Sequence, residues 1–261
     1  MKTASLILLT TLALLASLFF GAADLAPETV LSALIGQGSE IEQTIIRELR
    51  LPRALLALFI GAGLGASGAA LQGYTRNPLA APGILGFSAC AALGAVTALY
   101  FGASAFVPFA ALFGTIFGAV LILTITGPRK GAATLILAGV GVGALATAMT
   151  GLIMNFAPNP WALSEIVYWL MGSLKNAELG GLIFCAPLTL LGLLCLLWIG
   201  PDLRSLSLGE DTAVSMGVSL GKVRILLILG TGLCVGSGVA IAGAIGFVGL
   251  FIPLSFCSLI S

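Results

Sequence analysis

The side chains that most often do chemistry are scarce in this sequence, and their spacing is poor. Histidine is absent, which removes the commonest general base, proton relay and metal ligand. The five cysteines, Cys90, Cys185, Cys195, Cys234 and Cys257, all fall inside apolar runs, and none belongs to a C-x-x-C pair. They read as small buried apolar residues, ahead of disulfides or a metal site. The nearest approach to a phosphate-binding loop is M-G-V-S-L-G-K-V at Met216 to Val223. It has Met in place of the first glycine and Val where Ser or Thr must meet magnesium, so it reads as a loop entering a helix. With no acid and base placed to work together, the chain is not expected to be an enzyme, and no metal or cofactor is expected.

The elements around these residues are of one kind. Of 261 residues, 59% are hydrophobic and 8% charged, with a net charge of +1 and a mean hydropathy of +1.17; a soluble domain carries about 25% charged residues. The charge balance gives no basic field for nucleic acid. A crossing helix needs about 20 apolar residues, and the charge-free stretches predict spans at about 4–23, 54–75, 83–101, 107–126, 134–156, 179–199 and 225–245. The expected fold is an all-α, polytopic transmembrane bundle. The third and fourth spans share a charge-free run of 52 residues and are divided by a turn near Gly102 to Pro108.

The first span ends in Gly21-Ala22-Ala23, which is similar to a signal-peptidase site. The apolar run is long and has one Lys before it, which favours a retained helix over a cleaved leader. Residues 24–53 hold eight of the 21 charges, with Pro27 near a helix start and Ile41, Ile45, Ile46 and Leu49 on one stripe, and read as an amphipathic segment on the membrane face. Pro158, Pro160, Trp161, Tyr168 and Trp169 form an interfacial belt, and residues 201–224 form a polar loop. A cytoplasmic N-terminus puts Lys2, Arg76, Arg129, Lys130, Arg204, Lys222 and Arg224 inside. Outside it leaves Arg47, Arg50, Arg53 and Lys175, as the positive-inside rule favours.

Small residues recur at four-residue spacing, with Gly61 and Gly65, Gly139 and Gly143, and Gly232 and Gly236 expected at helix contacts. The second span reads G-A-G-L-G-A-S-G-A-A from Gly61, and the last reads G-T-G-L-C-V-G-S-G-V-A from Gly230. One begins outside and the other inside, the mark of an inverted repeat. No span core carries an ionisable side chain, so no residue is available to bind a coupling ion. Energy for active transport would come from another chain.

Four blocks carry a resemblance. L-R-L-P-R-A at Leu49 to Ala54, L-Q-G-Y-T-R-N-P-L-A-A-P-G-I-L-G at Leu71 to Gly86, S-L-G-E-D-T-A-V-S-M-G-V at Ser207 to Val218 and G-A-I-G-F-V-G-L-F-I-P at Gly243 to Pro253 resemble the FecCD/BtuC-type permease subunits of iron-siderophore, haem and vitamin B12 ABC importers. The resemblance implies a ten-span type II importer fold in the inner membrane. It also implies a second permease subunit, two cytoplasmic ATPases, an external substrate-binding protein and a lipid environment. Arg50 and Arg53 match external arginines that pair with acidic residues of the binding protein. Leu208, Gly209, Glu210, Ala213, Met216 and Gly217 match the loop that docks on the ATPase. Arg76, Asn77, Pro78 and Pro82 match a structural turn. After Pro253 the family continues with a His, an Arg and further helices, whereas here Leu254 to Ser261 follow. The tail from 246 to 261 therefore reads as an aberrant stub. The alternative expectation is a truncated, non-transporting fragment of such a permease.

Overall fold

The computed structural model describes residues 2–21, 23–127 and 131–260. Arg129 and Lys130, which enter the orientation count, lie outside the described residues, as do the side chains of Lys2 and Cys257. The chain begins with α1 (Lys2–Phe19), α2 (Pro27–Leu34) and α3 (Glu40–Thr44), and a π-helical turn (Ile45–Arg50) leads without a break into α4 (Leu51–Thr75). A 3-10 turn (Pro82–Leu85) precedes α5 (Phe87–Tyr100), and another (Ser104–Phe106) precedes α6 (Val107–Thr126). Then come α7 (Ala132–Asn155), α8 (Pro160–Leu170), α9 (Leu179–Trp198), α10 (Gly200–Leu206), α11 (Glu210–Ser215), α12 (Leu220–Ala242) and α13 (Val248–Ile260). Among the described residues there is no strand.

Five helical stretches, Glu40–Thr75, Ser104–Thr126, Ala132–Asn155, Leu179–Trp198 and Leu220–Ala242, are long and apolar enough to cross a membrane. Ala4–Phe19 and Phe87–Tyr100 are shorter apolar helices. Together they build an all-α polytopic bundle. The cysteines at 90, 185, 195 and 234 form no disulfide.

The two helices with matching glycine motifs, α4 and α12, are the most buried spans and lie against each other. Contacts pair Ile60 with Gly238, Gly63 with Cys234 and Tyr74 with Arg224. Numbers rise on one helix as they fall on the other, so the helices are antiparallel and the motif runs through the bundle in both directions. Each is followed by a break. Arg76 takes a left-handed φ of 51° after α4, and Gly243 (φ 71°) and Phe247 (φ 64°) do so after α12. The two broken segments meet around a cavity of about 210 Å³ lined by Leu64, Pro82, Gly83, Ala244 and Ile245.

Residues 248–260, expected as a stub, form α13 and pack on α4. Pro253 has no N–H, so the Gly249 carbonyl lacks its ordinary helical donor. That carbonyl seats directly against Gly68, where any Cβ would collide with it, and the Pro253 ring lies 3.1 Å from the same point. Gln72 Nε2 bridges the neighbourhood, donating to Ala80 O at 3.3 Å and Leu250 O at 3.4 Å. Of the glycines expected at contacts, a Cβ on Gly139 would come within 2.7 Å of Leu85 Cα and one on Gly143 within 3.0 Å of Gly86 Cα. Gly65 meets Ile252, and Gly236 meets Thr115. Gly61 is a correction: it faces open space, because it lies one turn before Gly65 on the same side of α4, beyond the reach of Ile252 of α13. Gly232 makes only ordinary contact, 3.7 Å from Thr115 Cγ2.

The segment 24–53 departs from its expected single stripe. Ser39 caps α3 reciprocally with Glu42 (Ser39 N–H to Glu42 Oε2, 2.8 Å). The π turn then adds a residue to the helical repeat and rotates the succeeding residues about the helix axis. Ile46 is buried with Leu18, Val30, Ala33 and Ala54 in a small core of its own, while Ile41 and Leu49 are exposed.

Adding a methyl group separates these glycines. Gly68→Ala must displace the Gly249 carbonyl and should cost about 1–3 kcal/mol, seen as a lower thermal unfolding midpoint in detergent. Gly61→Ala should leave that midpoint unchanged or raise it.

Candidate functional site

At one end of the bundle, Arg76, Gly131, Ala132, Ala133 and residues 208–212 line a shallow groove of about 650 Å³. Arg76 caps α4 in the left-handed conformation. Asn77 Oδ1 then accepts from Leu79 N–H at 2.9 Å, closing a tight turn. Pro78 is exposed, and Pro82 is buried at the start of the 3-10 turn. The turn expected at these four residues thus places α4 beside the loop that follows α9.

That loop is folded as α10 and α11. Gly209 joins them with φ 118° and ψ 152°, a region open essentially to glycine alone. Glu210 and Asp211 occupy the first turn of α11, where the helix dipole favours negative charge. Leu208 and Met216 are 65% and 61% exposed, and Gly217 is exposed in the same loop. Ala213 is a correction. Its motif assigns it to the docking surface, but it is fully buried, and its carbonyl accepts from Met216 and Val218 N–H, closing the loop on itself. Its small side chain lets α11 approach its own bundle.

Two arginines that read as surface charges in the sequence are buried. Arg224 is 2% exposed within α12; its Nε donates to Tyr74 Oη at 3.2 Å and its Nη1 to Gly127 O. It therefore ties the end of α4 and the end of α6 to the start of α12. Sequence reasoning missed this because the charge lies two residues from Lys222, whose ammonium sits 5.7 Å over the exposed Trp198 ring. Only the neighbouring helix ends distinguish the two cations.

At the opposite end, Arg50 is expected from its motif to be exposed for a binding partner, and here the structure corrects the expectation. It is 7% exposed, and its Nη1 donates to Leu18 O at 2.8 Å and Phe19 O at 3.1 Å, with Nη2 donating to Ala23 O. A guanidinium is suited to collecting the unpaired carbonyls of a helix C-terminus, and this one fastens α1. Gly21 lies against its face, where a Cβ would come within 2.8 Å. Arg53 is exposed, with one bond from Nη2 to Lys175 O at 2.7 Å, and Arg47 is exposed nearby. Ser173 N–H donates to Ala242 O at 2.7 Å, which fixes this loop over the end of α12. Above the same end, α8 is capped by Asn159 and exposes Trp161 and Tyr168.

Removing the Tyr74 hydroxyl leaves an Arg224 N–H buried without its acceptor. Tyr74→Phe should therefore cost about 1.5–3 kcal/mol, read as a lower unfolding midpoint, whereas Tyr168→Phe on the exposed helix should cost nothing measurable.

The comparisons with known proteins agree with this architecture over almost the whole chain. The sequence pattern of the FecCD transport family matches residues 8–260. The ferric enterobactin transport system permease protein FepD of Escherichia coli K12 is 38% identical over 256 residues, covering 95% of this chain and 75% of FepD. The vitamin B12 import system permease protein BtuC of Klebsiella pneumoniae is 38% identical over 226 residues, covering 83% of this chain and 67% of BtuC. The molybdate import system permease protein MolB of Haemophilus influenzae is 37% identical over 217 residues, covering 82% and 64%. A solved inward-facing structure of a metal-chelate type ABC transporter superposes with a TM-score of 0.88 at 33% identity, covering 98% of this chain and 80% of that one. By fold, by motif and by relatedness, the chain belongs to the FecCD transport family and is a transport permease of the ABC importer kind, not an enzyme.

Proposed function

We propose that this chain is the membrane-spanning subunit through which an ABC importer carries a ferric-siderophore, haem or cobalamin-like ligand across the inner membrane. In this reading a second permease copy or homologue completes the pathway. Two cytoplasmic ATPases supply the energy, and an external binding protein delivers the ligand. The N-terminus lies in the cytoplasm. The observation that carries the reading is the opposition of the two ends. One end gathers α10, α11 and Arg76 around a groove. The other, about 35 Å away along α4 from Arg76 to Arg53 at roughly 1.5 Å per residue, exposes Arg47 and Arg53.

Leu208, Gly209, Glu210, Met216 and Gly217 form the ATPase-docking surface in this proposal, with Ala213 supporting it from beneath. Exposed apolar groups beside a carboxylate suit a partner with an apolar hollow and a basic rim. Arg53, rather than Arg50, offers the free guanidinium to carboxylates of the binding protein. The span cores are free of charge. This suits bulky chelates held by a binding protein better than an ion-coupled route, which needs an intramembrane ionisable group.

Reversing the charge in the groove should separate the partners. Glu210→Arg is expected to lower ATPase co-purification by about tenfold, roughly 1.4 kcal/mol, and an undiminished yield of complex would remove the docking role. Arg53→Glu should slow association of the binding protein, with a deficit that shrinks as salt rises. Equal association rates for mutant and parent at low salt would remove Arg53 from that surface.

A further inference from the structure

On the Arg53 side of the bundle, α1, the π turn and α4 enclose a cleft of about 590 Å³. Its walls along α1 extend from Thr10 to Gly21, about 17 Å at roughly 1.5 Å per residue, close to the depth of one leaflet of a hydrocarbon core about 30 Å thick. The walls are apolar in effect. Leu14, Ala57 and Leu58 line them, and the two α1 hydroxyls among them are occupied, Thr10 Oγ1 donating to Leu6 O at 2.9 Å and Ser17 Oγ to Leu14 O at 2.7 Å.

The polar end of the cleft is cationic. Arg50 lines it at 7% exposure. Among the described residues its guanidinium donates to three backbone carbonyls, those of Leu18, Phe19 and Ala23. Arginine has five N–H donors, so two donors remain without a partner among the described residues, and the full positive charge has no counter-ion there. A buried charge is ordinarily paired. Arg53 stands at the same mouth with a single bond, to Lys175 O. A one-leaflet apolar slot closed at headgroup level by an uncompensated buried cation is complementary to one class of molecule.

We infer that this cleft binds a phospholipid with an anionic headgroup, one acyl chain lying between α1 and α4 and the phosphate facing Arg50, while Arg53 at the mouth keeps the outward role proposed for it. The lipid supplies the counter-charge that Arg50 lacks and fills the gap beside α1, whose packing on α4 is otherwise slight. α1 is then held to the bundle by its C-terminal carbonyls on Arg50, by Leu18 in the small core with Val30, Ala33, Ile46 and Ala54, and from Thr10 to Ser17 by the bound chain.

The test uses the purified full chain in mixed micelles holding equal phosphatidylglycerol and phosphatidylcholine, with bound lipid read by native mass spectrometry. The chain should retain phosphatidylglycerol over phosphatidylcholine by about tenfold, the effect of roughly 1.4 kcal/mol. Ala57→Trp fills the slot from α4 and Ala13→Trp from α1, at exposed positions, and each should abolish the preference. Leu194→Trp, exposed on α9, should keep it. If either cleft variant fails to fold in detergent, the other decides. Equal retention of the two lipids by the parent chain overturns headgroup recognition. A preference that survives in a folded cleft variant overturns the site.

Discussion

Inside hydrocarbon a carbonyl oxygen must find a donor or be covered by protein, because no water is there to meet it. This bundle meets the condition by bringing backbone onto backbone at glycines. The Gly249 carbonyl, deprived of its helical donor by Pro253, is covered by Gly68; elsewhere glycines let regular helices meet as closely, with the Ala110 carbonyl on Gly94 and the Cys90 carbonyl on Gly114. With no hydrophobic drive between helices in lipid, such contacts supply dispersion and weak Cα–H···O attraction where bulky side chains would hold the helices apart. The two broken segments after α4 and α12 are received at other glycines in the same way, Leu85 and Gly86 against Gly139 and Gly143 of α7 and the Ala244 carbonyl against Gly172.

Hydropathy made the all-helical membrane class legible, and the ordered motif blocks made the family legible, because both are properties of the chain read in one dimension. Four-residue spacing marked which helix faces are smooth. It did not say how far along a smooth face the neighbouring helix extends, so Gly61 looks like Gly65 in sequence although one faces open space and the other, a turn later on the same side, meets Ile252. The stripe through Ile41, Ile45, Ile46 and Leu49 failed for a different reason. A π turn changes the angular period, and nothing in the residue types from Ile45 to Arg50 announces it.

Charge was the least legible feature. Arg50 and Arg53 belong to one motif and are three residues apart, yet one is buried and the other exposed. What separates them is the end of α1, which lies more than twenty-five residues earlier in the chain. Arg224 and Lys222 differ in the same way, through Tyr74 and Gly127. Ala213 was recognisable as small, but whether it made room for a partner or for its own bundle depended on the fold of α10 and α11. In each case the missing information was a contact distant in sequence.

The buried arginines also share an order. Leu18, Phe19 and Ala23 precede Arg50, and Tyr74 and Gly127 precede Arg224. Chains emerge from synthesis N-terminus first, so each guanidinium leaves the ribosome after the oxygens that will receive it. Both sit near the start of a span, Arg50 as the N-cap of α4 and Arg224 in the second turn of α12, and a charge taken from water into the bundle must find partners there. Vectorial synthesis lets the earlier segments serve as the solvent for the later charge, and neither cation need wait for its ligands to be made.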